Sequence, residues 1–168
     1  MFRRIADFEK CWAYESEQTL RVLRALTDAS LAQRVAPQDR TLGRMAWHLA
    51  GTIGEMAGRT GLAIDGPAHD APPLSTAAGI AAAYERAAAS LTASLQAAGW
   101  TDEALLVEDD MYGERWARGF TLFALVAHQA HHRGQMTVLM RQAGLAVPGV
   151  YGPARDEWAS MGEQPPEV

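Results

Sequence analysis

Cysteine is almost missing from this chain: Cys11 stands alone among 168 residues, which excludes an internal disulfide and agrees with a reducing compartment. Long hydrophobic runs are missing too. The longest largely apolar stretch, FTLFALVA at 120–127, falls far short of the ~20 residues that span a bilayer. The first twenty residues, MFRRIADFEKCWAYESEQTL, are charged throughout, unlike a signal peptide. Together these point to a cytoplasmic protein with no membrane partner. Fifteen basic residues against twenty acidic ones give a net charge of −5, and no Lys/Arg run is present to neutralise a row of phosphates, so nucleic acid is excluded as a partner. Paired Glu-x-x-His motifs are absent, which excludes a ferritin-like di-iron site. No internal repeat or low-complexity tract occurs.

What is present is apolar residues at helical spacing. Nearly half the chain is hydrophobic, enough for one domain with a substantial core over residues 1–160. Residues 161–168 read as a mobile tail, Gln164 to Val168 above all. From Phe2 to Thr27, Ile5, Phe8, Trp12, Leu20, Leu23 and Leu26 recur mostly every three or four residues without Gly or Pro, which predicts a long amphipathic helix. Ser30 to Arg40, with Pro37, is polar enough to be a connection. Thr41 then caps a second helix running to about Gly61, with Met45, His48, Leu49, Thr52, Ile53 and Met56 on one face.

The segment GLAIDGPAHDAPPLS, residues 61–75, is too rich in Gly, Pro and Asp to be helical and has the length of a crossover. Ser75 or Thr76 opens a third, alanine-rich helix to about Ala98, carrying Ile80, Tyr84, Leu91 and Leu95, with Gly99 as its stop. LLVEDDMYGERWARG, residues 105–119, mixes β-branched, aromatic and turn residues; it reads as a short hairpin or an extended loop, turning at Tyr112-Gly113. A fourth helix runs from about Phe120 to Ala143, with Phe120, Ala124, His128, His131 or His132, Gln135 and Leu139 down one side, and Gly144 ends it. A short helix is expected around Trp158. Four helices with one long crossover make an all-α four-helix bundle.

Three histidines on the expected core-facing sides of two helices carry the chemistry. His128 and His132 are one helical turn apart and can chelate one ion, with His48 adding a third imidazole from a neighbouring helix. His131 competes with His132, because three-residue spacing also approximates one face. Each histidine alone would read as a packed core residue. Together they do not, because three buried imidazoles without a metal would leave several nitrogens unsatisfied.

Neutral imidazoles leave the charge of a divalent ion uncompensated and at least one coordination position open. There the metal would lower a thiol pKa from about 8.5 and generate a nucleophile near neutral pH. His-only ligation suits Zn²⁺, Ni²⁺, Fe²⁺ or Cu²⁺.

Around this set, Gln135 is a candidate to hydrogen-bond a ligand or substrate. Arg133, off the ligand stripe, is a candidate to bridge to a carboxylate or receive an anionic group, with ordinary surface pairing as the plainer reading. Both are carried forward as cofactor-binding candidates. Glu55 lies nearly two turns from His48 and is at best an outer partner. Asp109 and Asp110 read as a solvated turn, His69 as a solvated loop residue, and Cys11 as a small core hydrophobe. Met45, Met56, Met136 and Met140 fill the core, and the five tryptophans do the same or line a pocket.

WHLAGTIGEMAG with His48, HQAHHRGQMTVLMRQAG with its H-x3-HRGQ core, and VPGVYGPARDEW resemble the DinB-like family of metal-binding four-helix proteins, over nearly the whole chain to about Trp158. The family is unrelated to the DNA polymerase of the same name. The resemblance selects His132 over His131 as the third ligand beside His48 and His128. It implies an up-down-down-up bundle, a Zn²⁺ or Ni²⁺ class ion and often a homodimer. Characterised relatives include enzymes that use low-molecular-weight thiols such as bacillithiol and mycothiol, while many members have no established reaction.

The expectation is therefore a metal-dependent enzyme, a thiol S-transferase that activates a low-molecular-weight thiol toward an electrophile. The alternative is a non-enzymatic stress protein that binds metal or a small ligand. A hydrolase using metal-bound hydroxide ranks third, since no general base is evident beside the histidines.

Overall fold

The computed structural model describes residues 1–68 and 70–167. Four helices dominate it: α1 Ile5–Arg24, α2 Leu42–Gly58, α3 Ala77–Ala97 and α4 Arg118–Gln142. Short 3₁₀ helices occupy Asp28–Ala32, Asp102–Leu106 and Arg155–Met161. Strands β1 Glu108–Met111 and β2 Glu114–Ala117 form an antiparallel hairpin pairing Glu108 with Ala117 and Met111 with Glu114.

Local chemistry sets the ends of these elements. The Thr41 hydroxyl accepts the Arg44 amide at 3.1 Å and the Thr76 hydroxyl that of Gly79 at 3.2 Å, which satisfies donors the first helical turn leaves orphaned. Gly99 and Gly144 take φ of 59° and 74° just past α3 and α4, where a side chain would be strained. The hairpin turns through Tyr112 and Gly113 at φ 60° and 87°, the both-positive signature of a type I′ turn. Gly113 is suited to it; Tyr112 is the one described non-glycine residue with positive φ. Two limits differ from the sequence expectation: α2 stops at Gly58, before Gly61, and α4 starts at Arg118 because β2 runs straight into it.

Contacts give the helix directions. Trp12 bonds the Ala88 carbonyl and Arg24 bonds Glu85, so α1 and α3 are antiparallel. Phe2 bonds Gly119, and Glu15 and Thr19 bond Arg133, so α1 and α4 are parallel. His48 meets His128 while Glu55 meets Tyr112, ahead of α4, so α2 and α4 are antiparallel. The order is up-down-down-up. Parallel α2 and α3 require residues 59–76 to return the length of α2, about 25 Å at 1.5 Å per residue. His69, expected as a solvated loop residue, lies outside the described residues.

Phe8, Trp12, Leu23, Leu49, Ile53, Ile80, Tyr84, Leu91, Leu122, Leu125, Met136 and Met140 form the core. Buried Ala81, Ala83, Ala87 and Ala88 let α3 approach its neighbours closely. Met45 and Met56 are buried as well. No helix of the described residues is long and apolar enough to cross a membrane.

The expected core side of α4 needs correction. Its buried residues are Gly119, Thr121, Leu122, Leu125, Gln129, Arg133, Met136, Leu139 and Met140. Phe120 is exposed, and Ala124, His128 and His132 are half-buried beside this stripe. The histidines therefore border the core, at the seam where α4 meets α2.

Candidate metal centre

At that seam the three imidazoles converge through one atom each. His48 Nε2 lies 3.2 Å and His132 Nε2 3.1 Å from His128 Nε2, and the ring centroids are 4.4 to 4.9 Å apart. A metal bonded at about 2.0–2.1 Å to three nitrogens separates them by roughly 2.9 Å at right angles and 3.4 Å at tetrahedral angles. The observed spacings fall between these limits. His48, His128 and His132 form the one His/Cys/Asp/Glu group among the described residues with ligand geometry. His131 is exposed and lies outside it, its ring 5.0 Å from that of His132.

Surrounding groups prepare these nitrogens. Gln135 Oε1 is 2.7 Å from His132 Nδ1; as the acceptor of an Nδ1–H it leaves the lone pair on Nε2, the inward-facing atom. Burial, the neighbouring His132 and His131, and the Arg40 guanidinium push the His128 pKa down to about 4. Burial lowers that of His132 as well, against the raising effect of Gln135. Both rings are thus held in the neutral, ligating form near pH 7. The donor set suits a divalent transition metal.

Two separate cavities border the cluster. One, about 320 Å³, is lined by His48, Thr52, Glu55, Met56, Tyr112, Trp116, Ala124 and His128. The hairpin builds its outer wall: Trp116 packs edge-on against Tyr112 and Phe120. Tyr112 donates to Glu55 at 3.0 Å, and Arg59 sits 4.5 Å from the Tyr112 ring centroid. The other cavity, about 390 Å³, is lined by Val35, Asp39, Arg40, Met45, His132, Gln135 and Leu139. It lies between α4 and the loop ahead of α2.

Arg133 is turned the other way. Its side chain is 3 % exposed, and its guanidinium bonds Glu15 Oε2 at 2.6 Å, the Glu15 carbonyl at 3.0 Å, Thr19 Oγ1 at 2.9 Å and the Tyr151 hydroxyl at 2.7 Å. Tyr151 in turn donates to the Glu15 carboxylate at 2.8 Å. Arg133 does bridge to a carboxylate, but in a buried network that fixes α4 and residues 150–151 on α1, away from both cavities.

Asp109 is paired with Arg118 at 2.8 Å, within a strand and not a solvated turn. The Cys11 thiol is half-buried, and burial with the Glu15 charge pushes its pKa up, which suits an inert thiol. Glu55 lines the cavity that also holds His48 and His128, and the hairpin that brings Tyr112 to it is distant in the chain. Arg40 carried no signal at all, lying in a loop without periodicity.

The family model for the DinB family matches residues 1–167. The chain is 44 % identical over 168 residues, all of both chains, to YrdA of Bacillus subtilis (strain 168), an uncharacterized protein. A crystal structure of a DinB-like protein from Bacillus cereus ATCC 10987 is 44 % identical, with a TM-score of 0.86 over 90 % of this chain and 100 % of that one. A second, of the DinB-like protein YjoA from Bacillus subtilis, shares the fold at 18 % identity, with a TM-score of 0.66 over 86 % of this chain and 96 % of that one. With its helix order, its histidine cluster and a family match from end to end, this chain belongs to the DinB family.

Proposed function

We propose that this protein is a metal-dependent thiol S-transferase, in which His48, His128 and His132 hold a Zn²⁺ or Ni²⁺ class ion through Nε2. One observation carries the reading: three converging imidazole nitrogens flanked by two separate cavities, so that a cation held there is reachable by two small molecules. A sequestration or sensing site would instead be closed. When bound, the ion supplies a Lewis-acidic position that favours thiolate over thiol near neutral pH.

The chain's own residues supply the rest. Gln135 orients His132, and burial keeps His128 neutral. Glu55, held by the Tyr112 hydroxyl in the cavity that also exposes His48 and His128, is the group positioned to accept the thiol proton. Burial and Glu55 push the Tyr112 pKa up to about 12, so Tyr112 stays a donor. Met56, Trp116 and Ala124 give this side an apolar surface that suits an electrophilic carbon. The S–H bond breaks as its proton passes to Glu55; the sulfur electron pair forms the S–C bond as a π bond of the electrophile, or its bond to a leaving group, breaks, and the proton then passes to the atom that has taken up that electron pair.

Titration of Co²⁺- or Ni²⁺-loaded protein with low-molecular-weight thiols tests this. A thiolate-to-metal absorption band and turnover with a thiol–electrophile pair are expected. Tight metal binding with neither signal for any thiol would overturn the transferase reading in favour of a non-enzymatic metal-binding stress protein.

A further inference from the structure

The cavity on the loop side is chemically unlike the hairpin side, and the mechanism above leaves its charged group unused. Arg40 lines it together with His132 and Gln135, so a guanidinium and a ligand histidine face the same space. Arg40 makes no ion pair or side-chain hydrogen bond among the described residues. Its loop neighbour Arg34, by contrast, bonds the Pro37 carbonyl at 2.8 Å.

The loop presenting Arg40 is fixed. Leu42 N bonds the Gln33 carbonyl at 2.7 Å across its base, Asp39 N bonds the Ala36 carbonyl at 3.0 Å, and Gln33 reaches Gln142 of α4 at 3.3 Å. A planar fork of donors sharing a cavity with a ligand histidine is suited to a carboxylate. Asp39 shares the cavity lining, and its negative charge disfavours a dianion such as phosphate. Val35, Met45 and Leu139 give the same cavity apolar lining, which suits a short carbon chain.

We propose that this cavity is a carboxylate subsite: the small molecule whose donor atom reaches the histidine-held metal carries, a few bonds away, a carboxylate bound by Arg40. The inference rests on the metal-and-thiol reading, and the test separates the two. Zinc-loaded protein is titrated with 3-mercaptopropionate, with its neutral amide 3-mercaptopropanamide, with propionate and with inorganic phosphate. The readouts are the Arg40 Nε–H resonance near pH 6 and the dissociation constant by calorimetry.

The expected result is a shifted Arg40 resonance and binding about tenfold tighter for 3-mercaptopropionate than for the amide. Arg40→Gln should abolish that preference while leaving zinc content and amide binding unchanged. Equal affinity for the two thiols, with both bound, overturns the subsite and leaves the thiol reading standing. A shift with propionate but no binding of either thiol supports the subsite and overturns the thiol reading. An Arg40→Gln variant that weakens both thiols equally, a phosphate shift equal to that of propionate, or no shift with any anion each overturns the proposal.

Discussion

Replacing Arg133 by Met separates a structural from a ligand-binding role for that residue. Its side chain is 3 % exposed and that of Glu15 8 %, so solvent screens the pair little and the small values typical of surface ion pairs do not apply. Removing one partner strands the other charge in the core, which costs about 3–5 kcal/mol. For a chain of this size each kcal/mol lowers Tm by roughly 2–4 °C, so Arg133→Met should melt roughly 6–20 °C below the parent. Glu15→Leu should behave similarly, stranding the guanidinium. The double variant Glu15→Leu/Arg133→Met leaves no unpaired charge and should recover most of the loss. Urea unfolding of the metal-free proteins, followed by far-UV circular dichroism, gives the double-mutant cycle. A loss below about 1 kcal/mol for Arg133→Met, or a double variant no more stable than the worse single one, would refute the reasoning. So would unaltered stability with weakened ligand binding, which would put Arg133 in the site after all.

Stability of the metal-free protein should depend on pH through His128. Its folded pKa, about 4, lies below the ordinary 6.5, so the unfolded chain takes up the proton first. Stability is unaffected above about pH 6.5, falls as pH drops toward 4 and levels off below; His128→Ala should flatten this slope in urea titrations across that range. For the same reason a bound metal should survive pH 6 and be lost at lower pH, as a chromophoric chelator would report. Gln135→Leu removes the acceptor of His132 Nδ1 and should weaken zinc affinity about 10- to 100-fold in a chelator competition, whereas His131→Ala should leave it unchanged. A Cβ on Gly119 would collide with the Phe2 carbonyl oxygen and crowd that of Leu105, so Gly119→Ala should lower stability by about 1–3 kcal/mol in thermal melts.

Local signals were the legible ones. Thr41, Thr76, Gly99 and Gly144 bound three helices through caps and positive φ, and Tyr112-Gly113 marked the hairpin because few dipeptides turn that way. The spacing of His128 and His132 was equally plain. The core side of α4 was not, since Gln129 and Arg133 interrupt its apolar stripe. Gln129 is fully buried, donating to the Leu49 carbonyl at 3.0 Å, and a pattern reading treats both residues as solvent-facing. Arg133 finds Glu15 and Tyr151, and Glu55 finds Tyr112, across long stretches of chain that no window of periodicity connects. Which loop residue borders the centre was likewise decided by tertiary folding alone.

The left-handed backbone of Tyr112 ties the hairpin turn to the cavity that its ring helps to line. Asparagine or glycine would be at ease in that corner, while a bulky ring sits there at a cost on the order of 1 kcal/mol. A glycine or asparagine in its place would ease the backbone and in doing so would strip the shade from one side of the histidine seam. Backbone ease and enclosure are thus set against each other at a single residue.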